Sequence, residues 1–119
     1  MTLKRLIEIL DAEVILDAGD PDIEIQAACS SDLMSDLLCF AAKPGSVLIT
    51  GLINPQVVRT AEIADLKAII FVLRKRPDKD TIELARAKGI PLIVTPLSRF
   101  TSCGRLYVEG LESCTEETK

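Results

Sequence analysis

The sequence predicts an α/β domain in three layers, helices on both sides of a mainly parallel sheet. That sheet is expected to be built from a βαβαβα core, with an N-terminal helix and two short strands added to it. Two observations carry this expectation. The runs SVLIT (46–50), AIIFV (68–72) and PLIVT (91–95) are short, β-branched and without polar interruption, the pattern of strands covered on both faces. Each run leads through a turn into a segment with helical spacing, and that alternation is the mark of a parallel sheet. A length of 119 residues allows one domain, large enough to bury roughly two-thirds of its unfolded surface.

Taken in order, Thr2 is positioned as an N-cap, and Leu3, Leu6, Ile7 and Leu10 follow at the spacing of one apolar helical stripe. EVILD (13–17) reads as a strand closed by Gly19-Asp20-Pro21. Ile23, Ile25 and Ala27 alternate with Glu24 and Gln26 as a second strand with one buried face. Residues 1–29 are therefore expected to form a helix plus a small hairpin or two-strand addition. Ser30-Ser31-Asp32 signals a helix start, with Leu33, Met34, Leu37, Leu38 and Ala41 as its buried stripe and a stop before Lys43-Pro44-Gly45.

The three repeats launch their helices differently. Asn54-Pro55 is an N-cap followed by proline at the first helical position, with Val57, Ala61 and Ala64 on one face. Pro77-Asp78 opens the next helix, with Thr81, Leu84, Ala85 and Lys88 at helical spacing and Gly89 as its C-terminal stop. Ser98 caps a third helix whose inner side is expected to be Phe100, Cys103 and Tyr107. The domain then spans 1–111, and the polar string 112–119 is expected to be a flexible tail that exposes Cys114.

Composition narrows the function. A formal charge of −4 and only three Phe, one Tyr and no Trp speak against nucleic acid, which needs a basic face and stacking residues. No apolar run approaches the roughly 20 residues of a membrane span, and no leader pattern is visible, so a cytoplasmic protein is expected. Cys29, Cys39, Cys103 and Cys114 make no CxxC pair and are expected to be free thiols of a reducing compartment. With no histidine, a Ser-His-Asp or Cys-His arrangement and a histidine-based zinc site are excluded. Phosphate-loop and GxGxxG motifs are absent as well. No cofactor, metal or catalytic team is expected, and the chain reads as a non-enzyme.

The candidate site is the edge where the three βα loops emerge, since open parallel sheets bind ligands at the carboxyl ends of their strands. There Arg74, Lys75, Arg76 and Arg99 stand beside helix N-termini, a combination that attracts anions. Thr50, Thr95 and Ser98 offer hydroxyls, Asn54 a cap, and Gly51 close approach to the backbone. Leu52, Ile53 and Leu97 on the same loops offer an apolar surface for a partner instead. A second candidate is Asp32 with Asp36, one turn apart, which suit metal or proton chemistry or simply complement a helix dipole.

The stretches SSDLMSDLLCF, GSVLITGLINPQVVRTAEIADLKAIIFV and ELARAKGIPLIVTPLSRFTSCGRLY together resemble the DRTGG domain family, over about residues 30–111. GIPLIVTPLSRFTSC is the most diagnostic part. Such domains occur alone, between CBS domains of certain pyrophosphatases, in long phosphotransacetylases, and as relatives of the N-terminal domain of HPr kinase/phosphorylase. The resemblance implies an α/β fold and a non-catalytic regulatory or dimerising module. The name-giving letters differ: Leu52-Ile53 follows Gly51 where the family often has Asp-Arg, and Leu73-Arg74-Lys75 stands where Thr-Gly-Gly would. No ligand role tied to those letters carries over. The expected function is a regulatory or protein-interaction domain acting as a homodimer. The alternative is a sensor that binds a phosphorylated or nucleotide-like anion at the βα edge.

Overall fold

The three apolar runs form the centre of the sheet. In the computed structural model, which describes residues 1–40 and 43–115, they are β3 (Ser46–Thr50), β4 (Ile69–Phe71) and β5 (Leu92–Val94), with every residue buried. They pair in parallel, Leu48 beside Ile69 and Ile69 beside Leu92. Alternate side chains point to opposite faces. Leu48, Ile69, Phe71, Leu92 and Val94 join one core cluster, and Val47, Ile49, Ile70 and Ile93 the other.

Helices cover both clusters. On the first face lie α2 (Met34–Phe40), α3 (Pro55–Ile63) and α4 (Lys79–Lys88), which contribute Met34, Leu37, Val57, Val58, Ala61 and Ala85. The second face carries α1 (Leu3–Ile9) and α5 (Arg99–Val108), through Leu3, Leu6 and Leu106. The expected three layers are present. Local chemistry sets the helix ends: Thr2, Asp78 and Ser98 each accept a backbone N–H three residues on, and Gly89 closes α4 at φ 69°.

The two N-terminal strands do not form a hairpin. β1 (Glu13–Leu16) runs antiparallel to β5, and β2 (Ala27–Ser30) runs parallel to β3. The sheet order β1-β5-β4-β3-β2-β6 leaves three strands between them. The alternating stretch expected as a strand from Ile23 is paired instead with the N-terminus, through Leu3 N–H to Ile23 O at 3.0 Å and Ile25 N–H to Met1 O at 2.7 Å. Leu3, Leu6, Leu10 and Ile25 are all buried, so the first 29 residues complete the core.

The C-terminal end departs most from expectation. Glu112–Ser113 forms β6, paired in parallel with Ala27 and Ala28 of β2. Cys114 is buried and disulfide-bonded to Cys29 across 85 residues of sequence, while Cys39 and Cys103 are free thiols. The expectations of a tail beginning at residue 112 and of an exposed Cys114 thiol are thus corrected. Two polar residues are too short a run to register as a strand; 116–119 lie outside the described residues.

Two helical stripes are also corrected. α5 buries Ser102 and Leu106, one residue before the expected Cys103 and Tyr107, and it leaves Phe100 and Tyr107 89% and 79% exposed. A small polar residue, Ser102, faces inward there, which sequence hydrophobicity does not reveal. α2 buries Met34 and Leu37 but exposes Leu38, and Leu33 lies exposed just before it; Ala41 lies outside the described residues.

Candidate functional site

Parallel pairing of β2 with β3 brings the segment after β2 alongside the loop after β3, and there Asp32 finds its partners. One carboxylate oxygen, Oδ1, accepts from Thr50 Oγ1 at 2.9 Å and from the Gly51 backbone N–H at 2.8 Å. The other, Oδ2, meets Arg99 Nη1 at 2.8 Å. Thr50 Oγ1 accepts in turn from Leu52 N–H at 3.1 Å. Lys75 Nζ donates to Gly51 O at 3.4 Å. A Cβ at Gly51 would stand 3.3 Å from Lys75 Nζ and 3.6 Å from Asp32 Oδ2, so the glycine leaves room for this cluster to close.

The electrostatics of Asp32 follow from these contacts. Partial burial pushes its pKa up, but the Gly51 N–H, the Thr50 hydroxyl and Arg99 outweigh it and hold the carboxyl below its ordinary value. Asp32 is therefore an ionised acceptor seated in a ring of donors. It does not share a helical face with Asp36, because α2 begins only at Met34 and Asp36 lies in its first turn. Ahead of the helix, Ser31 Oγ accepts from Leu33 N–H at 3.0 Å.

The remaining expected site residues separate into two groups. Thr95 is buried and donates to Leu10 O at 2.6 Å, Ser98 caps α5, and Asn54 occupies the N-cap position of α3 without a side-chain capping bond. Arg74, Lys75 and Arg76 are exposed. Arg76 pairs with Glu13, whereas Arg74 has no ion-pair partner among the described residues. The loop carrying them turns through two left-handed residues, Leu73 at φ 56° and Arg74 at φ 58°. It is held by Leu73 N–H to Leu97 O and Arg74 N–H to Thr95 O, each at 2.9 Å. The structure thus gathers Asp32, Thr50, Gly51, Lys75 and Arg99, and leaves Arg74 and Arg76 on the β1 side beside Asp11 and Glu13, around a cavity of about 360 Å³.

A larger concavity lies elsewhere. A groove of about 930 Å³ runs between α5 and the β2–β6 edge, lined by Ala28, Lys43, Cys103, Leu106, Tyr107 and Glu112 among others. Beside it the outer face of α5 presents Phe100, Tyr107 and Val108 to solvent. Sequence reasoning singled out Cys103 and Tyr107 and placed both inside; Cys103 is partly buried against the α1–α5 core, whereas Tyr107 is exposed. The signal that could have marked the groove was the same stripe read as an outer face.

No family model matches the sequence, and no curated protein matches it either. The fold does have a counterpart. The crystal structure of the CBS and DRTGG domains of the regulatory region of Clostridium perfringens pyrophosphatase, complexed with its activator diadenosine tetraphosphate, superposes with a TM-score of 0.70. Identity is 21%, and the match covers 98% of this chain. The chain has a DRTGG-like fold. It spans about half of that structure, 51% of its length. The α/β architecture implied by the sequence resemblance is therefore present across the described residues. Leu73 and Arg74, which stand where that resemblance places the first two letters of Thr-Gly-Gly, are both left-handed. Among the described residues, no three His, Cys, Asp or Glu side chains converge on a metal-sized site, and no helix is long and apolar enough to cross a membrane.

Proposed function

We propose that this DRTGG-like domain is a regulatory module without catalysis of its own, and that it acts by contact with another protein surface, first of all a second copy of itself. The observation that carries this reading is the match of 98% of the chain to part of a pyrophosphatase regulatory region. Two features support it. The polar groups following β2, β3 and β5 are largely spent on one another, through Asp32, Thr50, Gly51 and Arg99. The apolar residues Phe100, Tyr107 and Val108 stand on the solvent side of α5, and exposed apolar patches mark contact surfaces. Light scattering over a micromolar concentration series tests the reading. The expected mass is near twice 13.0 kDa, and a monomer at every concentration contradicts it.

A second reading is a sensor of a phosphorylated or nucleotide-like anion at the βα edge. It draws support from the donors around Asp32 and from Arg74, which has no ion-pair partner among the described residues. In this reading the ligand replaces the Asp32 carboxylate among the Thr50, Gly51, Lys75 and Arg99 donors. A thermal-shift panel of nucleotides and inorganic phosphate should then raise Tm for at least one compound, and more for Asp32→Asn than for the parent chain. A flat panel with both proteins removes this reading and leaves the first intact.

A further inference from the structure

We propose that the Cys29–Cys114 disulfide is a redox-operated clasp, which holds the C-terminal strand against β2 and, when reduced, frees that strand and opens the sheet edge. This goes beyond the regulatory reading and does not depend on it.

Little else holds β6 in place. It pairs with β2 at only Ala27 and Ala28, and both of its residues are exposed. Further ties are Cys114 N–H to Ala28 O and Lys43 N–H to Cys114 O, each at 3.0 Å, and the exposed Lys43–Glu112 pair at 3.3 Å. Short pairing of this kind opens readily once its covalent anchor is gone. Leu111 stays buried in the core of the α1–α5 face, so the freed piece begins at Glu112 and the rest of the sheet keeps its partners. Past Leu111, Cys114 is the one described residue that either core cluster contains.

Cys29 and Cys114 are 4% and 5% exposed. A cavity of about 270 Å³ lies against their bond, lined by Ser30, Ser31, Asp36, Leu37 and Thr115 beside both cysteines. A dithiol, small or carried by a protein, is the reductant by class. Its first thiolate attacks one sulfur, forming a mixed disulfide and releasing the other cysteine as a thiolate. Its second thiol resolves the mixed disulfide. Cys29 and Cys114 thereby gain two electrons and two protons, and the dithiol leaves as a disulfide. Because Cys29, Glu112 and Ser113 form one wall of the 930 Å³ groove whose other wall carries Cys103 and Tyr107, reduction changes that groove as well as the β2 edge. In a compartment that keeps thiols reduced the open form is the resting one, and an oxidising one closes it.

The full chain tests this. After equilibration with oxidised glutathione, unfolding in an alkylating reagent should label two thiols per chain, Cys39 and Cys103, with Cys29 and Cys114 recovered as a joined peptide. On addition of dithiothreitol, amide exchange at Ser113 and Cys114 should quicken at least about tenfold, while Leu48, Ile69 and Ile70 keep their protection. The Cys29→Ser/Cys114→Ser variant should show the open pattern without reductant. Four labelled thiols after oxidation would mean that no clasp forms. Unchanged exchange at Cys114 on reduction would mean no release, and equal loss of protection in β3 and β4 would make the bond a staple for the whole domain; each result overturns the proposal.

Discussion

Asp32 and Gly51, 19 positions apart in sequence, are joined by a hydrogen bond of 2.8 Å from the Gly51 N–H to the carboxylate. That bond ties the entry of α2 to the exit of β3 and fixes the charge pattern of the whole edge. Removing the acceptor with Asp32→Ala strands the buried Thr50 hydroxyl and leaves the Gly51 N–H to water. The expected cost is about 1–3 kcal/mol in denaturant unfolding. Arg99→Ala breaks only the outer pair, between side chains 42% and 46% exposed, and should cost under about 1 kcal/mol and fade with salt. An Arg99 variant as damaging as the Asp32 variant would contradict this ordering.

The same carboxyl sets a pH dependence. Asp32 is held below its ordinary value of 3.8, and so is Asp78, through the Thr81 N–H and hydroxyl at the start of α4. A group with a lowered folded pKa binds fewer protons folded than unfolded, so its stabilising effect is complete above the unfolded value and lost as pH falls through the folded one. Chemical denaturation between about pH 5 and about pH 3 should show the parent chain losing stability faster than Asp32→Asn. Parallel curves would mean that Asp32 is not held ionised.

Leu73 and Arg74 occupy left-handed backbone without being glycine, a conformation that costs other residues roughly 1–2 kcal/mol. Arg74→Gly should therefore be more stable than Arg74→Ala, by about 0.5–1 kcal/mol after the entropy that glycine adds to the unfolded chain. Thermal melts of the two variants decide it. The reverse order would show that the turn is not left-handed at that residue.

The rotation of α5 is open to a direct check. Leu106 is 2% exposed and Phe100 89%. Leu106→Ala should cost about 2–4 kcal/mol, and Phe100→Ala within about 0.5 kcal/mol of nothing. Equal costs would return Phe100 to the inside of the helix.

These residues also mark how far the sequence could be read. The runs at 46–50, 68–72 and 91–95 were legible because burial on both faces leaves no polar interruption, and Asp78, Ser98 and Gly89 were legible because caps follow local rules. The side of α5 was not, since Ser102 faces inward while the more apolar Phe100 and Tyr107 face out. Asp32 stood out, but paired in expectation with Asp36; its true partners depend on β2 lying next to β3, which is tertiary information. The Cys29–Cys114 bond was hidden for the same reason. Its 85-residue separation follows no local spacing, and the strand that delivers Cys114 is two polar residues long.

The most direct test of the central claim, a regulatory module that works through contact between copies, is light scattering of the parent chain beside Phe100→Asp/Tyr107→Asp. Both positions are exposed, so the variant should keep the parent's circular dichroism and melting. The account predicts a parent mass near twice 13.0 kDa that falls to the monomer in the variant. A monomeric parent, or a dimer unmoved by two aspartates on α5, would contradict it.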